Sequence, residues 1–325
     1  MNRVALYNNN EERWLTVLAC LISGILFLLW AASSSHAEGM THRSFSSPGK
    51  AMTSLVTAVR ANDMEEMLAI LGPGSRELLF SGDDVEDSTG REKFLKAYDR
   101  MNTLQKVSAD KVTLCIGKDN WPLPIPIVKA DAIWVFDADQ GKQEILNRRI
   151  GRNELHVMDV LDAYTDAQHE YASRDCGGGG VVEFAQKLIS TQGKRDGLYW
   201  EVKEGEKDSP LGPLVARAAK EGYADMDLSP FHGYYFKILK GQGKHAQGGA
   251  YDYVVKGKML LGFALAAFPS EYGNSGVMTL IVNQEGIIYE KNLGENTTRT
   301  AEEMKIFNPD KTWEKVKEIL PGQDK

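Results

Sequence analysis

The chain of 325 residues is poor in cysteine and has no excess of basic residues. Three cysteines are too few for a disulfide-stapled scaffold in a chain of this length. A net charge of -7 argues against nucleic acid as a general partner, because phosphate binding needs a basic face. The G-x-S-x-G and H-E-x-x-H patterns are absent, so two common hydrolase signatures are missing. Cysteines and histidines are scattered, and we expect neither a metal nor a cofactor.

One long apolar run is present, over residues 15–32, and the small polar stretch SSSHAEG follows it. This pattern is typical of a signal peptide over residues 1–37, with cleavage after Ala37 and a periplasmic or secreted mature protein. The alternative is an inner-membrane anchor over residues 15–32, because about 18 apolar residues reach the lower limit for a membrane span. No second run of this kind follows, so we expect no stable membrane insertion after cleavage.

Two cysteines, Cys115 and Cys176, remain after the expected cleavage. In an oxidising compartment they can form one disulfide. The alternative is a pair of buried free thiols.

The sequence predicts an α+β protein whose first domain covers residues 45–150. Helices are expected from Pro48, over residues 64–71 and over residues 90–102. Strands should follow at residues 111–117, and two more within residues 121–137, joined by a turn at Lys129–Asp131. Helices followed by a curved antiparallel sheet resemble NTF2-like or cystatin-like domains.

A helical connector and loop over residues 151–230 should lead to an antiparallel β domain over residues 231–313. The connector has an apolar helical stripe after Gly151, interrupted by GGGG at 177–180, and "VVEFAQKLIS" should resume the helix. A further helix is expected in "PLVARAAKEGYA". Asn283 to Gly286 predicts a hairpin turn in the β domain. The last third also resembles the sheets of pilin-like secreted proteins.

Several stretches together carry a more specific resemblance: FSSP, WPLPIP, EILNRRIGRNEL, GKRDGLYW, AYDYVV and GVMTLIVNQ. On these motifs the chain resembles an uncharacterised family of secreted bacterial proteins, a domain of unknown function. The resemblance extends over about residues 45–313 and implies no activity.

A short basic segment, Arg148, Arg149 and Arg152, follows the proline-rich stretch in this otherwise acidic chain. Arg148 and Arg152 share a face if the segment is helical. Carboxylates are close in sequence, so we expect Arg148 and Arg152 to be mostly desolvated in an ion-paired joint between the domains. The alternative is a site for an anion or a partner, since planar guanidinium groups suit both roles.

A catalytic alternative centres on His232, with Asp227 nearby, as an acid/base pair. More often such a histidine only hydrogen-bonds a turn. Aromatic side chains such as Trp121 are expected in the core, and if a subset lined a pocket they would favour carbohydrate or lipid binding. The sequence therefore predicts an exported protein of unknown biochemical activity, either a non-catalytic binding module or an envelope accessory or assembly module. Its partner would be an envelope protein or a small ligand, and the alternative is a periplasmic hydrolase with a site near His232 and Asp227.

Overall fold

The computed structural model describes residues 42–174, 182–223 and 229–316. Four helices come first: α1 (Pro48–Ala61), α2 (Met64–Leu71), α3 (Arg76–Leu79) and α4 (Asp84–Arg100). Side chains of Ser47, Asp63 and Asp83 accept backbone N–H groups at the starts of α1, α2 and α4. These caps explain why α1 and α2 begin where the sequence predicts. Helix α4 begins six residues before the predicted start, at its Asp83 cap.

An antiparallel sheet follows, made of β1 (Asn102–Lys106), β2 (Lys111–Ile116), β3 (Trp121–Pro122), β4 (Ile127–Ala130) and β5 (Ile133–Phe136). Its order is β1-β2-β4-β5, with β3 paired to β2. The proline-rich stretch contributes only the two-residue β3 before β4, because proline has no N–H to donate to a ladder. Strands β4 and β5 form the expected hairpin, with Ala130 opposite Ile133.

Helix α5 (Ala138–Ser173) has 36 residues, and Asp137 caps its first turn. The prediction of a helix only from Gly151 was wrong, because the helix already begins at residue 138. The basic segment therefore lies inside a continuous helix. The domain boundary placed between residues 150 and 151 also falls within α5, and the division into domains stays a prediction.

The segment after α5 differs from the prediction as well. "VVEFAQKLIS" is not helical where it is described, and instead Phe184 pairs with Met259 and Ile189 with Tyr199 through single β-bridges. Phe184, Ala185 and Leu188 of this stretch thus pack as irregular chain against the core. Helix α6 (Gly212–Glu221) is confirmed and ends at Gly222 in the left-handed conformation.

The last part of the chain is antiparallel sheet. Its strands are β6 (Tyr234–Leu239), β7 (Gly241–Gln242), β8 (Tyr251–Asp252), β9 (Val254–Val255), β10 (Lys258–Met259), β11 (Ala264–Pro269), β12 (Met278–Asn283), β13 (Tyr289–Asn292) and β14 (Glu314–Lys315). The main sheet has the order β14-β13-β12-β11-β6, and β7-β8 and β9-β10 form two small pairs. Helix α7 (Thr297–Glu303) precedes β14. Gly286 donates its N–H to the carbonyl of Asn283, which confirms the predicted turn.

Two hydrophobic clusters hold these elements together. The first combines α1 and α2 with residues of the first sheet and the start of α5. The second packs the later turns of α5 and α6 against β6, β11 and β12. The fold is therefore α+β, with α5 contributing to both clusters. In the part of the chain that the structure describes, no helix is both long and apolar enough to cross a membrane.

Candidate functional site

A cleft of about 460 Å³ lies beside the first hydrophobic cluster. We call it the α4 cleft. It is lined mainly by aliphatic and aromatic side chains, with charged groups on one side: Leu55, Val59, Met67, Leu71, Leu78, Leu79, Glu86, Asp87, Gly90, Arg91, Lys93, Phe94, Ile116, Trp121, Leu123, Pro124, Ile125, Ile145, Arg149 and Arg152. Protein interiors rarely leave voids much larger than a water molecule, whereas ligand pockets measure about 300 to 1,000 Å³. The α4 cleft has the size of a ligand site.

The cleft exists because α4 packs loosely. All 17 residues of this helix are described, and none of them is buried. Its inner face carries Asp87, Gly90 and Phe94, which follow each other at helical spacing. Gly90 has no side chain, and a Cβ placed there would meet no atom within 4 Å. Helix α4 thus forms a wall over the apolar cluster without filling the space beneath it.

Among the residues that the structure describes, the charged groups of the cleft come only from α4 and α5. On α5, Arg149 is 8% exposed and donates to the carbonyls of Glu77 and Leu78, at 2.7 and 2.9 Å, and to Oδ1 of Asn274 at 2.5 Å. Burial lowers the pKa of Arg149. All these contacts join distant segments, so Arg149 is committed to holding the fold.

Arg152, one turn further along α5, forms an ion pair with Glu86 of α4. The Arg152 side chain is about half exposed, whereas that of Glu86 is largely buried. The second carboxylate oxygen of Glu86, Oε2, is buried and has no hydrogen-bond partner among the described residues. This pair therefore links α4 to α5 at the cleft and neutralises the charge of Arg152.

Asp87 and Arg91 occupy the next turn of α4. Asp87 accepts the backbone N–H of Ser81 at 2.9 Å, and burial raises the pKa of its carboxyl. Arg91 is half-buried, and within the described ranges no carboxylate comes within 4.0 Å of it. Lys93 is exposed and is likewise without an ion pair in those ranges. Arg91 and Lys93 are thus cations at the edge of an apolar cleft. Within the described residues, neither has a carboxylate within ion-pair distance.

The structure separates the three arginines of the basic segment. Arg148 is about half exposed, pairs with Glu144 at 2.6 Å and stacks over the Trp121 ring at 5.0 Å. The expectation that Arg148 and Arg152 are mostly desolvated was wrong, because Arg149 between them is the buried one. Successive helical residues point about 100° apart, so the burial of Arg149 still allows Arg148 to point towards solvent. Arg149 and Arg152 line the α4 cleft and Arg148 does not, and whether any of the three binds a partner stays a prediction.

His232 lies in a separate polar cluster at the start of the C-terminal sheet. It has a left-handed backbone with φ of 51°, and its Nε2 lies 3.1 Å from Glu221. Nearby, Oδ2 of Asp83 accepts both the hydroxyl of Tyr223 and the N–H of Gly233 at 2.9 Å. Burial raises the pKa of this carboxyl. Asp83 thus caps α4 and joins it to the sheet at the same time.

Burial and the neighbouring His156 ring, 4.2 Å away between centroids, lower the pKa of His232 to about 3. The half-exposed Glu221 carboxylate does not offset this, so the imidazole is neutral at neutral pH. A general base works best with a pKa near the operating pH, which disfavours His232 in that role. Its predicted companion Asp227 lies outside the described residues.

Of the two cysteines expected in the mature protein, the described residues include only Cys115. Cys115 is buried on β2, with its Sγ 3.4 Å from Oε1 of Gln105. Cys176 lies outside the described residues, as does the expected leader, so the disulfide and the cleavage stay predictions. No cluster of three or more histidine, cysteine or acidic side chains that could hold a metal occurs in the ranges that the structure describes.

The sequence analysis missed Asp83, Asp87 and Arg91 because it started α4 too late. Asp83 followed by Glu86 three residues later is the spacing of a helix N-terminal cap, and this signal was available. In a helix that starts after Asp83, Asp87 and Arg91 are four residues apart and therefore lie on one face, next to Phe94. No local pattern in the sequence indicates the cleft itself.

The fold and the cleft define an α+β protein with a ligand-sized apolar site beside its N-terminal helices. Residues 42–316 match the family described as "Protein of unknown function (DUF2950)", and the chain belongs to this family. No curated protein and no solved structure matches the chain.

Proposed function

We propose that this chain is an exported binding module of the bacterial envelope, and that the α4 cleft holds a small, largely apolar ligand. The observation that carries the proposal is the volume of about 460 Å³ next to core side chains such as Leu55 and Met67. The cleft is open to solvent, so water contacts the apolar side chains that line it, and this contact is unfavourable. A ligand that fills the cleft removes this apolar surface from water.

Trp121 supports the same proposal. It is 42% exposed at the edge of the cleft, where its ring can cover a ligand. Indole rings at such edges offer a large apolar face and a polar N–H. The expected export, from the apolar run and its SSSHAEG ending, would bring this site into contact with envelope molecules.

The alternative function, a hydrolase near His232 and Asp227, has less support. The lowered pKa of His232 leaves it a weak base, and its Nε2 is engaged by Glu221. Binding is therefore the function that the described geometry favours.

N-phenyl-1-naphthylamine, an uncharged apolar dye, tests the proposal in a fluorescence titration. Wild type should bind the dye with saturation. Gly90→Phe should abolish binding, because position 90 lies on the inner face of α4 with open space around its Cβ. Gly151→Phe is the matched control, since this α5 glycine also has open space but does not line the cleft.

Equal dye affinity in wild type and Gly90→Phe would contradict the α4 cleft as the site. Unfolding midpoints of both variants, measured alongside, show that each is folded.

A further inference from the structure

We infer that the ligand of the α4 cleft is a single-chain amphiphile with an anionic head, whose chain lies on the apolar wall and whose head lies at Arg91. The inference rests on the proposed function and adds the chemical class of the ligand. A carboxylate head and a phosphate head share the required chemistry.

The asymmetry of the lining carries the first step. Side chains from α1, α2 and the proline-rich stretch are apolar, as at Leu55, Met67 and Leu123, whereas each charged lining group within the described ranges comes from α4 or α5. A ligand that matches this lining is apolar along most of its length and polar at one end. A wholly apolar ligand would leave the α4 side unmatched, and a sugar would leave the aliphatic wall unmatched.

The sign of the head follows from which charges are already neutralised. Arg149 is held by two carbonyls and Asn274, and Arg152 is paired with Glu86. Asp87, one turn earlier on α4, attracts Arg91 electrostatically, but the two are not within ion-pair distance.

Arg91 is left half-buried without a carboxylate partner in the described part of the chain. A guanidinium beside apolar surface binds an oxyanion through paired N–H groups, and reduced solvent access strengthens that contact. Lys93 also lines the cleft, but it lies two positions further along α4 and therefore about 160° around the helix from Arg91, so it adds positive charge to the cleft without sharing the contact of the head. A cationic head at Arg91 would meet a like charge.

Calorimetric titrations with decanoate, decyl phosphate and 1-decanol, each below its micelle concentration, test the inference. Wild type should bind both anions at least about tenfold tighter than the alcohol. Arg91→Gln should weaken both anions by at least about tenfold and leave the alcohol unchanged. Arg100→Gln, the same substitution at an exposed position of α4 outside the cleft, should bind all three as wild type does.

The relative affinities of decanoate and decyl phosphate distinguish a fatty-acid-like source from a lipid phosphate source, and tighter binding of either anion supports the inference. Equal binding of 1-decanol and the anions, or unchanged anion binding in Arg91→Gln, would overturn the anionic head while leaving the cleft as a binding site. Anion affinity that Gly90→Phe does not change, or no binding of any of the three compounds, would overturn both proposals. A failure of all three compounds to bind is also the result expected if another segment of this chain, or a second copy of it, fills the cleft.

Discussion

The guanidinium of Arg149 donates to Oδ1 of Asn274 at 2.5 Å and thereby joins helix α5 to the loop before β12, 125 positions later. The same Asn274 donates to the carbonyl of Phe80, which precedes α4. Three distant segments of the chain thus meet at these two side chains.

Arg149→Ala should lower the free energy of unfolding by about 2 to 5 kcal/mol, because the carbonyls of Glu77 and Leu78 and the amide of Asn274 lose a buried charged donor. Arg148→Ala, at the neighbouring exposed position, should change it by about 1 kcal/mol or less. Urea unfolding of both variants measures the difference. Equal losses would show that the buried contacts of Arg149 add no stability.

Gly141→Ala should destabilise the protein by about 1 to 3 kcal/mol, although alanine favours helices. A Cβ at this position of α5 would lie 2.5 Å from the carbonyl oxygen of Pro124, so helix and proline-rich stretch would have to move apart. Gly90→Ala, with open space, should instead stabilise α4 by up to about 1 kcal/mol. Urea unfolding midpoints measure both effects. A Gly141→Ala variant more stable than wild type would contradict the close contact between Gly141 and Pro124.

The stability of the protein should fall as the pH drops from about 6.5 towards 3, in part because of His232. The unfolded chain protonates this imidazole near pH 6.5, whereas in the folded protein the pKa of His232 is about 3. Between these two pKa values only the unfolded state binds a proton at His232, so lowering the pH favours unfolding. The contribution of His232 to the free energy of unfolding is fully present above about pH 6.5. The raised pKa values of Asp83 and Asp87 act in the opposite direction.

His232→Asn isolates the contribution of this histidine to the pH dependence of stability, because asparagine tolerates the left-handed backbone at this position and does not titrate. Thermal midpoints between pH 7.5 and 4.5 should fall less steeply in this variant than in wild type. His245→Asn, at an exposed position outside the cluster, controls for the loss of a histidine as such. Parallel curves for wild type and His232→Asn would contradict the lowered pKa.

A disulfide between Cys115 and Cys176 is expected in the exported protein. Closing this loop should stabilise the fold by about 4 kcal/mol or less in the chain-entropy model. Thiol labelling of the denatured, non-reduced protein should then modify neither cysteine. Labelling at both positions would show that they are free thiols.

Export should remove residues 1–37. The intact mass of the protein recovered from the envelope should correspond to a chain that begins at Glu38. A full-length species in the inner membrane would instead support the anchor over residues 15–32.

Local features of the fold were predictable where short-range chemistry decides them. Ser47 and Asp63 cap helices three residues away, and the turn from Asn283 to Gly286 closes with a bond between those two residues. Even α4 had a local start signal at Asp83. Helix α5 was predicted only in part, because its apolar stripe was recognised only after Gly151, whereas the helix begins at residue 138 and uses the buried Gly141 for its contact with Pro124.

The sequence by itself thus determined the α+β class, the family and the starts of α1 and α2, since caps, turns and periodicity act over a few residues. Only the tertiary structure decided that Arg149 is buried while Arg148 stays exposed, because the partners of Arg149 lie 71 to 125 positions away. The α4 cleft was decided in the same way. A space between elements depends on how closely distant helices approach, and no local pattern in the chain encodes that distance.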